Sequence, residues 1–415
     1  MSIHSFLHND SQALLTQMAN KMAEIERRPL QPIYVVVQSP GLIEWLNLQL
    51  AKTSGIAANI HFITPNFLPY LSCKALGERY ESGKKAEELL WGIHRVLGSI
   101  DFTSEFPNVV RYYAESPYKQ MQLAVKLSDL FDQYSLYRAD DVAEWAKGKA
   151  AERLTDCAEI EAWQRFIWHK ISDSGNEDSN QSALDNSGVL EKLKSETVSS
   201  QIQQFFPSIQ CFALSTLSPY HSQLLTGLSQ HTEVNFFLLN PSPEEYWYDI
   251  RRKKDKLRNW NLDELTEEDF EIEGNDFLLA QGRLLKSLMH QLSDADPSFF
   301  NYYEAQHTVE NKLLLQKLQK EIVENKAPIA SSELAETKQD YSNLFVLNTE
   351  LLNDGSIQIN SHYSIYREVQ GLYDYLLDRK QNSPDLNADE IAVVTPSLIK
   401  YAPFIKAVFD SAPHK

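Results

Sequence analysis

The chain has 415 residues, 43% hydrophobic and 11% aromatic, with a formal net charge of −18. That length predicts two or three domains, and the apolar share suits a packed globular protein. The acidic balance argues against non-specific coating of nucleic acid, which needs clustered Lys and Arg, while leaving room for a local basic channel inside a larger assembly.

No stretch reaches the ~20 apolar residues of a membrane span. The start, MSIHSFLHNDSQALL, lacks the basic and apolar regions of a secretory signal. Cys73, Cys157 and Cys211 stand far apart, and with no CxxC or HExxH motif neither a disulfide framework nor a zinc site is supported. A cytoplasmic location is expected.

In chain order, residues 3–24 read as a short strand and a helix. IYVVVQS (33–39) is a continuous apolar run, as in a buried parallel strand. Ser39 is suited to cap the next helix and Pro40 to its first turn; Leu42, Trp45, Leu46 and Leu50 then fall on one face. NIHFITP (59–65) alternates like another strand. A mostly helical stretch is expected over about 66–205, where Leu123, Leu127, Leu130, Phe131, Tyr134 and Tyr137 keep helical spacing. DSGNEDSNQSALDNSG (173–188) reads as a polar loop. Strand patterns return in IQCFALSTL (209–217) and EVNFFLLNP (233–241), a charged helical segment fills about 251–345, and SIQINSHY (356–363), a helix over about 365–379 and IAVVTP (391–396) look like a fresh β-α-β start.

Strands separated by helices predict an α/β fold with parallel sheets. The boundary is expected near 346, giving a first domain over 1–345 and a second over 346–415. Seventy residues or so is short for a complete doubly wound domain, so the second is expected to be incomplete and the chain a fragment or truncated product.

Motifs with chemistry are few. VVVQSPGLIEWLNLQL (35–50) has the strand–turn–helix layout of a phosphate-binding loop but offers only QSPG where G-x-x-x-x-G-K-[ST] would supply backbone amides, a Lys and a magnesium-binding hydroxyl. Gly77 to Gly83-Lys84-Lys85 is a near miss with five intervening residues and no Ser/Thr, and reads as a solvated loop. GLSQH (227–231) begins like a nucleophile elbow, but His231 replaces the closing glycine. Asp129, Asp132 and Gln133 share a helical face, which is more often solvated than metal-binding. RRKKDK (251–256) is the densest basic patch, fitting a solvated helix end at least as well as a phosphate contact. Trp45 and Trp163 read as core, and His61 and His362 as ordinary hydrogen-bonded histidines.

At VVVQSPGLIEWLNLQLAKTSGIAANIHFITPNFL the sequence resembles the RecC family, the gamma chain of exodeoxyribonuclease V in the RecBCD complex. LSDLFDQYSLYRADDVAEW (127–145) is similar to the family's LFDQY-x-x-YR segment, and FALSTLSPYHSQLLTGLSQHTEVNFFLLNPSPEEYW (212–247) to its second strand pair and NP-x-x-x-YW stretch. SHYSIYREVQGLYDYLL (361–377) and YAPFIKAVFDSAP (401–413) resemble the opening of its second helicase-like domain. The matches run in order through nearly the whole chain, more weakly over about 73–120, 170–205 and 255–340.

The resemblance implies a superfamily 1 helicase-like domain, with a P-loop NTPase-like parallel sheet and a large helical insertion, that has lost ATP chemistry. The start of a second such domain follows. It implies a non-catalytic subunit that holds RecB-like and RecD-like helicase and nuclease partners in a heterotrimer for double-strand-break repair. This subunit splits duplex DNA and scans the unwound single strand for Chi. ATP and Mg belong to the partners, and no cofactor is expected in this chain. The loop at 38–41 is expected where a working helicase holds phosphates.

Carried over by the resemblance, the strand-reading positions are Gln38, Ser39, Asp129, Leu130, Asp132, Gln133 and Arg138. Four further positions depart: the family's threonine is Pro40 here, its second glutamine Glu44, a leucine Thr64 and a tryptophan Tyr70. A further family arginine would fall within 173–188, where none stands. Pro40 removes a hydroxyl and a backbone donor, and Glu44 turns a donor–acceptor amide into an acceptor. Either the preferred octamer differs or is read less strictly, or the four positions are padding and the motif is unchanged. Two rival readings stay open: an active ATP-dependent helicase or beta-type nuclease chain, which would carry GK[ST] after the first strand, and a structural scaffold without DNA contact.

Overall fold

The computed structural model describes residues 3–26, 28, 30–80, 86–173, 183–184, 186–243, 247, 274–295, 312–325 and 354–411. It divides into two compact units, Met1–Glu310 with Leu318–Tyr341, and Asn311–Lys317 with Ser342–Lys415.

The first unit is built on five parallel strands: β1 (Ile3–His8), β2 (Ile33–Val36), β3 (Ile60–Ile63), β6 (Ser208–Phe212) and β7 (Glu233–Leu239), in the order β1-β7-β6-β2-β3. Every residue of β2 and β6 is buried, as both faces of a parallel sheet are covered by its crossover helices. Side chains alternate across the pleat. Val35, Val37, Phe212 and Phe237 meet α1 (Ser11–Glu24) and α2 (Pro40–Ser54) through Leu14, Leu15, Met18, Leu46 and Leu50. Tyr34, Val36, Ile209, Cys211, Val234 and Phe236 face the other way, into a core shared with α3 (Leu68–Leu76), α10 (Asn186–Leu193), α11 (Ser199–Phe205) and α12 (Pro219–Ser229).

Connections running from β1 to β2 and from β2 to β3 thus carry their helices on one face, and those running back from β3 to β6 and from β6 to β7 carry theirs on the other. The sheet is doubly wound, and its direction reverses between β2 and β6. In open α/β sheets that reversal leaves a crevice at the carboxyl ends of the strands, where ligands bind.

Between β3 and β6 lies the expected helical insertion. Its helices α4 (Ala86–Leu97), α5 (Ile100–Glu105), α6 (Pro107–Tyr113), α7 (Pro117–Tyr137), α8 (Ala139–Ala146) and α9 (Ala158–Asp173) close over a separate core of Leu89, Ile93, Leu97, Phe102, Leu127, Phe131, Trp145 and Ile167. Two-residue strands, β4 (Arg79–Tyr80) and β5 (Ala183–Leu184), pair in parallel across it. Trp45 and Trp163 are half-buried against the cores, as the sequence suggests, whereas Tyr137, placed on the apolar stripe of α7 by its spacing, is exposed because it is the helix's last residue. Helices α13 (Asp276–Gln281), α14 (Arg283–Ala295) and α15 (Leu314–Val323) follow β7. The rest of the expected helical segment over 251–345 lies outside the described residues, as do RRKKDK, Lys84-Lys85 and most of 173–188.

The second unit corrects the sequence reading. Its helices α16 (Ile365–Asn382) and α17 (Leu398–Asp410) form and pack on each other, with Tyr373 edge-on to Phe409 at 5.2 Å and the Tyr401 hydroxyl donating to Glu368 at 3.0 Å. The flanking segments 356–363 and 391–396 are not strands, because no ladder forms between them or with any described strand. The apolar pattern of those segments is real; what is missing among the described residues is a hydrogen-bonding neighbour. No described helix is long and apolar enough to cross a membrane.

Candidate nucleic-acid interface

Three strand-to-helix junctions meet along the carboxyl rim of the sheet, and sequence chemistry explains each. The N-cap of α1 is Asp10, which accepts from the Gln12 amide at 2.7 Å and whose own amide donates to His8 Nδ1 at 2.8 Å. Ser39 caps α2 through the Leu42 amide at 3.3 Å, with Pro40 in the first turn. Ser218 caps α12 through the His221 amide at 3.3 Å, with Pro219 next. A cap side chain satisfies one of the amides that a helix start leaves open, and a following proline removes another.

Gln38 stands beside the reversal of the sheet. Its Oε1 accepts from the Ser215 amide at 3.0 Å and the Ser215 hydroxyl at 2.8 Å, and its Nε2 donates to the Thr216 carbonyl at 2.6 Å and the Thr216 hydroxyl at 3.1 Å. The loops after β2 and β6 are thereby tied across the reversal of the sheet. Strand β6 stops at Phe212, short of the expected 217, because Ala213 adopts φ 48° and turns the chain away. A positive φ is uncommon outside glycine and marks a locally imposed conformation.

Thr64 follows β3 on the same rim, exposed, and precedes a short 3-10 turn, Pro65–Phe67. Tyr70 lies exposed in the first turn of α3, its ring 5.0 Å from that of Phe67 and tilted 36°. Glu44 is exposed one turn into α2.

Asp129, Asp132 and Gln133 are exposed on α7, while Leu130 is half-buried against the core of the insertion. Arg138 ends α7 and starts α8, its guanidinium 4.8 Å from the centre of the Tyr134 ring. Helix α7 packs against α12, the helix that begins at the rim. The structure thus gathers Gln38, Ser39, Pro40 and Thr64 on one edge. Tyr70 and Glu44 lie a turn into their helices, and the α7 group is one packed helix away. No hydrogen bond or ring contact joins the two groups among the described residues.

Sequence reading missed Ser215 and Thr216, which it assigned to a strand. Their link to Gln38 spans 177 and 178 residues, so no local spacing reveals it. The one available signal was a Ser-Thr pair closing an apolar run just before Ser-Pro.

GLSQH is structural. Ser229 donates within its helix to the Thr226 carbonyl, and His231 is buried between the Ser199 hydroxyl and the Leu193 carbonyl, 2.7 Å from each. Among the described residues no group of His, Cys, Asp and Glu is arranged to hold a metal.

A family model described as RecC, N-terminal domain, matches residues 3–325. The chain belongs to the RecC family. Among its curated relatives, proteins named RecBCD enzyme subunit RecC, that of Escherichia coli K12 is 29% identical over 98% of this chain and 38% of its own length. The RecC of Haemophilus influenzae is 27% identical over 92% of this chain and 37% of its own, and that of Mycolicibacterium smegmatis 22% identical over 99% and 34%. The chain therefore spans a little over a third of the RecC proteins it matches.

Proposed function

We propose that this RecC-family chain acts as a non-catalytic DNA-reading subunit of a RecBCD-type helicase and nuclease in double-strand-break repair. Its first unit is a superfamily 1 helicase-like domain without nucleotide chemistry, and the start of a second such domain follows. In this reading the rim and α7 contact the strand unwound by RecB-like and RecD-like partners, which alone bind ATP and Mg. The chain itself is part of the wedge that parts the duplex, and the strand is scanned for a Chi-like octamer.

The observation that carries this reading is the chemistry of the three rim junctions. Their helix starts are capped from within by Asp10, Ser39 and Ser218, two are followed by proline, and none has the G-x-x-x-x-G-K-[ST] loop that holds a nucleotide's phosphates. Asp10 sets a carboxyl where an anion would lie. What the rim presents instead is hydroxyl and aromatic groups, which suit base edges and base faces.

The test assembles the full-length chain with its partner subunits and degrades linear DNA carrying random octamers. Sequence-dependent stopping is expected, and Pro40→Thr, Glu44→Gln, Thr64→Leu and Tyr70→Trp, made singly, are expected to shift the preferred octamer, since one lost or gained base contact is worth ~1–3 kcal/mol of discrimination. Stopping that is independent of sequence defeats the reading function; ATP binding by this chain alone defeats the non-catalytic assignment.

A further inference from the structure

We propose that Thr216 contacts the unwound strand and that Gln38 acts through it, as the positioning residue that fixes the loop between β6 and α12. The inference rests on the DNA-reading function proposed above. A glutamine amide has two donor hydrogens and two acceptor lone pairs. Gln38 spends all four on Ser215 and Thr216, at 2.6–3.1 Å. It therefore has no group left for a base edge while the loop is in place.

The Ser215 hydroxyl gives its proton to Gln38. The Thr216 hydroxyl receives one from Gln38 and keeps its own to donate outward. Ser215 and Thr216 are exposed, while Leu214 and Leu217 on either side are buried in the sheet core and pin the loop. Ala213, at φ 48°, starts the turn that brings the pair to Gln38. A hydroxyl donor held at the reversal of a doubly wound sheet, where such folds take their ligands, suits an acceptor atom of the strand, either a phosphate oxygen or a base carbonyl or ring nitrogen.

The experiment uses the full-length chain assembled with its partner subunits, on linear DNA carrying random octamers and 4-thiothymidine. The thiobase is expected to crosslink within residues 213–218. Stopping per length of DNA unwound is expected to fall about fivefold in Thr216→Val, the factor that corresponds to ~1 kcal/mol for one hydrogen bond. Gln38→Ala is expected to fall by at least as much, and adding Thr216→Val to it is expected to cost nothing further, as for residues acting in one chain of contacts. A changed stop sequence identifies the acceptor as a base atom, and an equal loss at every octamer identifies it as a phosphate.

Thr216→Val without effect, or additive losses in the double variant, overturns the inference, because Gln38 then reads the strand directly. The DNA-reading function survives that result if Asp132→Ala still alters stopping. No crosslink to this chain and no stopping by the unaltered complex overturn both.

Discussion

His221 shows how a single buried group sets a dependence on solution conditions. It sits in the first turn of α12, 4% exposed, with Nδ1 2.8 Å from the Ser218 hydroxyl that caps the same helix. Ser218 Oγ also accepts the His221 amide proton, so the cap and the ring meet at one oxygen. Burial pushes the imidazole pKa down to about 4. The folded value lies below the ordinary one, so the unfolded chain binds more protons between them. The stability that follows is present in full above pH ~6.5 and is lost as pH falls toward 4. The shift corresponds to a contribution on the order of 3 kcal/mol at neutral pH. Urea unfolding midpoints measured from pH 7.5 to 4 should therefore fall more steeply for the natural chain than for His221→Gln, which cannot take up the proton. Parallel curves for the two would show that the ring protonates in place.

Among elements, the helical insertion depends on a buried carboxyl. One oxygen of Glu161 accepts from the Trp145 indole at 2.9 Å and from the Ala151 amide at 2.7 Å, and all three residues are buried. It thereby fixes the end of α8 and the following turn to α9. Glu161→Ala leaves two donors without partners inside the protein, a loss of about 3 kcal/mol. Amide exchange across 139–173 should quicken about 100-fold in that variant, with β2 and β6 unchanged, because the insertion has its own core and opens locally. An exchange pattern identical to the natural chain would show that Trp145 is held by packing alone. The sequence makes much of this level legible and some of it not. The run at 33–39, with Ser39 and Pro40 after it, fixed β2, the cap and α2 because each signal is local to one element. The strand order, the two-faced winding and the tie from Gln38 to Ser215 depend on residues 177 apart and cannot be read from a window of sequence. SIQINSHY and IAVVTP failed as strands for the converse reason: their pattern is β-like, but a strand exists only through its neighbour.

At the level of the whole molecule, those same two segments predict how the chain behaves in isolation. In the second unit Val369 and Val408 are the fully buried hydrophobic residues among those described, a small core for two helices. Against it stand Ile359, Val394 and Ile399, each 90% exposed or more, and Tyr363, wholly exposed. The segments that carry Ile359, Tyr363 and Val394 also have backbone donors and acceptors outside any ladder among the described residues, which makes them templates for pairing with another chain. The net charge of −18 opposes close approach, but that repulsion is screened beyond ~8 Å at physiological ionic strength, whereas apolar contact is not. The isolated 415-residue chain is therefore expected to self-associate as salt rises and to bind an apolar dye. Ile359→Lys with Val394→Lys should lower both, since a lysine on an open edge disfavours strand pairing and interrupts the apolar surface. Sedimentation velocity at 50 and 500 mM NaCl separates the outcomes. A natural chain that stays monomeric at both, with no dye bound, would mean that the unit covers these residues itself in solution; association that the two lysines leave untouched would move the sticky surface to another part of the molecule.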